Sequence, residues 1–273
     1  MTRFLICLGN EVRKGLMIAW SEKLQIVFEL PFYALLILLL GPLLNAGHEI
    51  GAGRVVWSLH SRSTSLLVLA LIPAMVLYFQ AVKLFWRLLA EIQSGTFEQI
   101  YLSPLPSWLV AAAGRVVAAL IETLLVMAAT YGILSAFVPL HYTWTAAALV
   151  PAILLIVTGV GYSLIIGGLT LVWKRIQMLQ ESLLLLVVIF AVSALPIFTV
   201  PGWFSGLGRL FPVTSAVASL YGVMIAHRPV TGLWGTGGLA WLLATTAAYL
   251  AAGILAFRLG ERIAKTRGSL GRY

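Results

Sequence analysis

All nine carboxylates of this chain are glutamates, so its acid–base and ion-pairing chemistry is confined to a few positions. Glu91 and Glu98 stand seven residues apart, on roughly one face of a helix. They belong to a short polar segment, Glu91 to Pro106, that Pro104 and Pro106 terminate. Strongly apolar sequence flanks that segment on both sides, and a carboxylate-bearing patch in such a place suits the docking of a soluble partner. Glu122 is a different case. It lies deep in an apolar run, where an unpaired charge costs about 3 kcal/mol on insertion scales, so it must face protein or a water-filled route. Its two readings are substrate contact or gating, and a hydrogen-bonded structural group. Arg115, seven residues earlier, is separated from it by about 10 Å along a helix axis, too far for direct pairing without bending. Glu29, at comparable depth in the first apolar run, is the better partner for Arg115, and the two read as a structural clamp.

Other chemistries find little support in the residue types. Cys7 is the lone cysteine, no Cys/His cluster has metal-ligand spacing, and a metal site is therefore not expected. His48, His60, His141 and His227 fall in or beside loops and read as solvated. The chain has no Gly-x-x-x-x-Gly-Lys-Ser/Thr phosphate loop; Gly206-Leu207-Gly208-Arg209 lacks both the lysine and a strand-to-helix setting. ATP hydrolysis by this chain alone is not expected, and neither is a bound cofactor.

The elements that position these residues follow from composition. With 61% hydrophobic and 10% charged residues, the chain cannot present a water-facing shell around a core, and it reads as an all-α integral membrane protein. Apolar runs at about 26–44, 64–86, 108–138, 144–172, 182–199 and 233–257 each approach or exceed the ~20 residues that cross the bilayer as a helix, which predicts six spans. Ahead of them Leu5, Leu8, Val12, Leu16 and Ala19 recur at helical spacing, with Arg3, Asn10, Arg13 and Lys14 opposite. This predicts an interfacial amphipathic helix within residues 1–25.

Basic residues concentrate on one side of this arrangement. Arg3, Arg13, Lys14, Lys23, Lys83, Arg87, Lys174, Arg175 and the tail 258–273 lie there, against Arg54, Arg62, Arg209 and Arg228 on the other. The positive-inside rule places both termini in the cytoplasm. The net charge of +9 then reflects topology and lipid contact, not nucleic-acid binding.

Two stretches carry a family resemblance. Gly95-Thr96-Phe97-Glu98-Gln99-Ile100, closing in Ser103-Pro104, resembles the Gly-Thr-Leu-Glu-Gln-Leu stretch of type 2 ABC export permeases, especially the drug- and antibiotic-resistance branch. Leu195-Pro196, followed through Pro201-Gly202-Trp203-Phe204 to Phe211-Pro212-Val213-Thr214, is similar to that family's Leu-Pro and Asn-Pro-Leu-Thr pattern, with Phe211 where Asn is common. The resemblance implies a single permease domain over 1–273. It has a cytoplasmic coupling helix at about 88–104 between spans two and three, and a re-entrant helical pair at about 200–226 between spans five and six. It further implies that Glu91, Gly95, Thr96, Phe97, Glu98 and Gln99 contact a separate nucleotide-binding ATPase carrying ATP and Mg, and that a second permease chain completes the route. Pro201, Gly202, Trp203, Phe211 and Pro212 would form the re-entrant gate. The expected cargo is a hydrophobic or amphipathic drug, antibiotic, lipid or lipid-linked glycan, moved outward across a bacterial inner membrane.

The main alternative is an ion-coupled secondary transporter, which a single deep carboxylate serves poorly. An intramembrane enzyme lacks paired acids or a nucleophile and base in the spans. Tyr78, Phe79 and Phe85 are further candidates for lining a route, while Gly159, Gly161, Gly167 and Gly168 suit close helix packing.

Overall fold

The computed structural model describes residues 2–21, 35, 62–96, 106–138, 140–173, 176–196, 201–234 and 238–267, and all regular structure among them is helical. Helix α1 spans Thr2–Ser21, α2 Arg62–Gln93 and α3 Ser107–Phe137, the last containing a π-helical stretch at Ala111–Val116. Then follow α4 (Leu149–Val172), α5 (Gln177–Ser193), α6 (Gly202–Gly208), α7 (Pro212–Met224) and α8 (Leu239–Thr266).

Among the described residues, four helical stretches are long and apolar enough to cross a membrane: Thr64–Gln93, Ser107–Phe137, Ala146–Val172 and Leu239–Thr266. There are up to five if the bent α6–α7 pair is one span. The first expected span, 26–44, lies outside the described residues apart from Leu35. The fifth expected span is the shorter helix α5, whose apolar stretch Glu181–Ser193 falls below that length.

Helix α2 is the axis of the bundle, packing on α3, α4, α5 and α7. It tolerates Pro73 in its interior. It also runs further than the apolar pattern suggests, continuing to Gln93 before Gly95 turns the chain at φ 70°. Residues 88–93, read from sequence as the start of a separate coupling helix, are therefore its last turns. The Ser94 and Thr96 hydroxyls close the helix by donating to the Glu91 carbonyl, at 3.2 and 3.4 Å.

The most extensively packed helix pair among the described residues is α4 with α8. Gly161 and Gly168 face Gly253 and Gly260 so tightly that a Cβ at Gly161 would lie 2.5 Å from the Tyr249 carbonyl oxygen, and one at Gly260 2.2 Å from that of Gly168. Thr158 and Thr246 extend the seam with a 2.8 Å hydroxyl–hydroxyl hydrogen bond.

Helices α6 and α7 meet at a bend of 97°, where Gly208, Arg209, Leu210 and Phe211 lead into Pro212 at the start of α7. Phe211 stacks on Phe190 at 4.3 Å between ring centroids, so an aromatic ring from α5 occupies its side-chain environment. The Trp241 indole of α8 donates to the Arg209 carbonyl at 2.7 Å and holds the elbow. Phe79 and Phe85 are buried in the packed core.

Candidate functional site

Lys83, Arg87 and Glu91 recur every four residues on α2, which aligns them as one stripe. The stripe faces α3, where Arg115 stands in the π-helical stretch and Glu122 two turns later. The five side chains form one buried ionic cluster. The Glu122 carboxylate, on a residue only 2% exposed, accepts from Lys83 Nζ at one oxygen and from Arg87 Nη2, at 2.7 Å, at the other. Arg115 donates from Nη2 and Nε to Glu91 Oε2, at 2.7 and 2.8 Å. Arg87 Nη1 joins the halves by donating to the Arg115 carbonyl at 3.5 Å.

The π-helical stretch contributes geometry. Its i→i+5 pattern widens the helix and displaces backbone acceptors from their α-helical partners. Arg115 Nη1 donates back to the Val110 carbonyl at 3.3 Å, and the Arg115 carbonyl itself takes the bond from Arg87. Both guanidinium groups are thereby fixed in orientation. Charges removed from water to this degree hold position only when paired and further hydrogen-bonded, and this cluster provides both.

Helix α1 bears on the same stretch from outside. Gly15 touches Gly114 so closely that a Cβ there would lie 1.8 Å from the Gly114 carbonyl oxygen, while Glu11 lies against Gly114. The amphipathic helix thus packs on the bundle through the Glu11–Gly15 side, and Ile6, Met17 and Trp20 remain exposed. The opening of α3 is also tied to α8: the Ser107 hydroxyl donates to Glu261, Lys265 bonds the other Glu261 oxygen at 2.6 Å, and Arg258 lies 5.5 Å over the Trp108 ring.

One turn from Lys83, Gln80 is fully buried. Its amide finds no hydrogen-bond partner among the described residues, and a Cβ at Gly159 would lie 1.9 Å from its Oε1. The Thr123 and Ser163 hydroxyls are likewise buried without partners among those residues.

Of the residues singled out from sequence, Glu91, Arg115 and Glu122 come together in this cluster. Gly95 and Thr96 shape the end of the helix that carries Glu91. Phe97, Glu98, Gln99 and Glu29 lie outside the described residues. The clamp expected between Arg115 and Glu29 falls outside the described residues, among which Arg115 pairs with Glu91. Pro201, Gly202 and Trp203 are exposed at the start of α6, and Pro212 is buried at the start of α7. Sequence reasoning missed Lys83 and Arg87 as site residues because they were counted as loop charges. Their four-residue spacing with Glu91 was the available signal. No family model matches the chain, and no curated protein matches it either.

Proposed function

We propose that the chain is the membrane subunit of an ATP-driven exporter of the type 2 ABC class, moving a hydrophobic or amphipathic substrate out of the cytoplasm or the inner leaflet. A separate ATPase subunit would supply ATP and Mg, and a second permease chain would complete the route. On this reading both termini face the cytoplasm of a bacterial inner membrane, and α6–α7 is the re-entrant pair.

The observation that carries the reading is the ionic cluster. Glu91 stands four residues before the Gly95 turn, at the mouth of the loop whose sequence resembles the family's ATPase-docking stretch. Through Arg115 and Arg87 it is linked to Glu122 inside the spans. A push on the loop is then delivered to α2 and α3 together as a rigid-body movement, the form of motion by which docked subunits drive transporters. The buried Gln80 amide and Thr123 hydroxyl offer polar lining further along the same helices, and the Ser163 hydroxyl adds to it from α4. An ion-coupled carrier would instead need a carboxylate free to exchange its ion, and Glu122 is gripped by two fixed cations.

Affinity purification of the tagged full chain in mild detergent, with mass spectrometry and an ATPase assay, tests the proposal on wild type and Glu98→Arg. The expected result is a phosphate-loop ATPase that accompanies wild type and is released by Glu98→Arg. A chain that purifies alone and without ATPase activity would overturn the proposal and favour the ion-coupled alternative.

A further inference from the structure

Away from the ionic cluster, α2, α3, α4 and α7 line a half-open cavity of about 350 Å³. Its wall is apolar, with Val76 from α2, Met127 and Ala128 from α3, Ala152 from α4 and Leu220 from α7. That volume is at the small end of the ~300–1,000 Å³ typical of ligand pockets, suited to one flexible apolar chain more than to a broad fused-ring scaffold. Polar groups converge at one edge. The Trp144 indole donates to the Tyr131 hydroxyl at 3.0 Å, and Tyr142 completes an aromatic trio with centroids 5.5 to 6.2 Å apart. Burial, and next the neighbouring Tyr131, push the Tyr142 phenol up from its ordinary value, so it stays neutral and able to donate. Tyrosine and tryptophan at such a rim suit the level where acyl chains meet head groups.

The chain segment beside the rim is held in place and carries the charge. Thr143 donates its backbone N–H to the carbonyl of Met224, a cavity-lining residue, at 3.1 Å, and its hydroxyl is hydrogen-bonded to His227 Nδ1 at 3.3 Å. His227 takes a left-handed φ of 51°, a conformation that persists only where its surroundings over-determine it. The next residue, Arg228, is anchored by its backbone N–H to the Gly222 carbonyl at 2.8 Å and leaves its side chain exposed. Neither 138–145 nor 225–234 contains an acidic residue, so the charge that these two segments carry is positive.

We infer that this cavity binds one acyl chain of an anionic glycerophospholipid, with the ester region at the Tyr131, Tyr142 and Trp144 rim and the phosphate beside Arg228. The chain's length of apolar helix places the cavity wall in the hydrocarbon layer, where an acyl chain is the abundant apolar occupant. The charge at Arg228 selects an anionic head group over a zwitterionic one. This site stands independently of the exporter reading, which could fail while the lipid remained bound.

The full chain is purified from vesicles of mixed phosphatidylcholine and phosphatidylglycerol, washed extensively in detergent, and its retained phospholipid quantified by mass spectrometry. Wild type should retain phosphatidylglycerol. Ala152→Phe and Ala128→Phe, which fill the cavity, should lose it. Arg228→Glu, on an exposed loop clear of the packed core, should lose the preference for phosphatidylglycerol over phosphatidylcholine; it decides the matter if neither cavity variant folds. The inference is overturned if washed wild type holds no phospholipid, if folded cavity variants hold as much as wild type, or if Arg228→Glu leaves the retained lipid classes unchanged.

Discussion

Replacing Glu122 by glutamine keeps its shape and removes its charge, leaving Lys83 and Arg87 buried without the carboxylate they share. Breaking one partner of a buried ionic group typically costs about 3–5 kcal/mol. Glu122→Gln should therefore lower the thermal midpoint of the purified chain sharply, as read by gel filtration after heating. Adding Lys83→Met to Glu122→Gln should recover part of the loss, because one of the two buried cations that shared the carboxylate is removed with it. A double variant no better than the single would show that Lys83 does not depend on Glu122. The need for a partner at Glu122 was legible in the sequence, since no lone carboxylate is stable in lipid. Its identity was not. Lys83 and Arg87 flank the end of an apolar run that thins out near residue 86, so they read as residues at the membrane exit, whereas the helix continues to Gln93 and both are buried in the bundle. For Arg115 the depth was readable but its bond to Glu91 was not, because composition does not say which carboxylate a neighbouring helix presents.

At the scale of elements, the α4–α8 seam and the π-helical stretch make opposite demands on small changes. Gly168→Ala would put a Cβ 2.4 Å from the Ala256 carbonyl oxygen, and backbone atoms cannot swing aside as a side chain can. Its cost should exceed the ~1–3 kcal/mol usual for overpacking. Gly132→Ala on α3 meets nothing within 4 Å and should be neutral or stabilise the helix by about 0.5–1 kcal/mol, so the contrast in thermal midpoint checks that packing, not glycine content, sets the effect. Deleting Ala112 should convert the π-helical stretch to α-helix and rotate the Ser107–Val110 start of α3 by about 100° relative to Arg115 and Glu122. Loss of the monodisperse gel-filtration peak is the expected outcome, and an unchanged peak and midpoint would show that the π geometry is dispensable. The glycine pairing was legible in part, as small residues in an apolar run. The π-helical stretch was not, because Ala-Ala-Ala-Gly-Arg-Val carries no residue type that distinguishes an i→i+5 turn from an i→i+4 one. The α6–α7 elbow was readable from Pro201, Gly202, Gly206, Gly208 and Pro212, which interrupt an apolar stretch too often for one straight helix.

For the whole molecule, membrane-spanning character was legible from composition and run length, because length and apolarity decide which helices can cross lipid. Sidedness rests on the loop charges. With Lys83 and Arg87 buried in the bundle, the α8 end and α1 carry most of that argument among the described residues. Cys7→Ser removes the one native thiol, so single cysteines can report exposure. A membrane-impermeant maleimide should label Arg228→Cys in intact cells and Arg262→Cys only after lysis; the reverse pattern would invert the topology and with it the placing of the Gly95 turn in the cytoplasm. What joins that turn to the interior is the bond between Glu91 and Arg115. The measurement that tests it most directly is a double-mutant cycle on thermal midpoint in detergent with Glu91→Arg, Arg115→Glu and the two together. Each single reversal should destabilise the chain strongly, by setting like charges against each other, and the double should regain most of the loss. A double variant as unstable as the sum of the two singles would contradict the ionic link between loop and membrane interior.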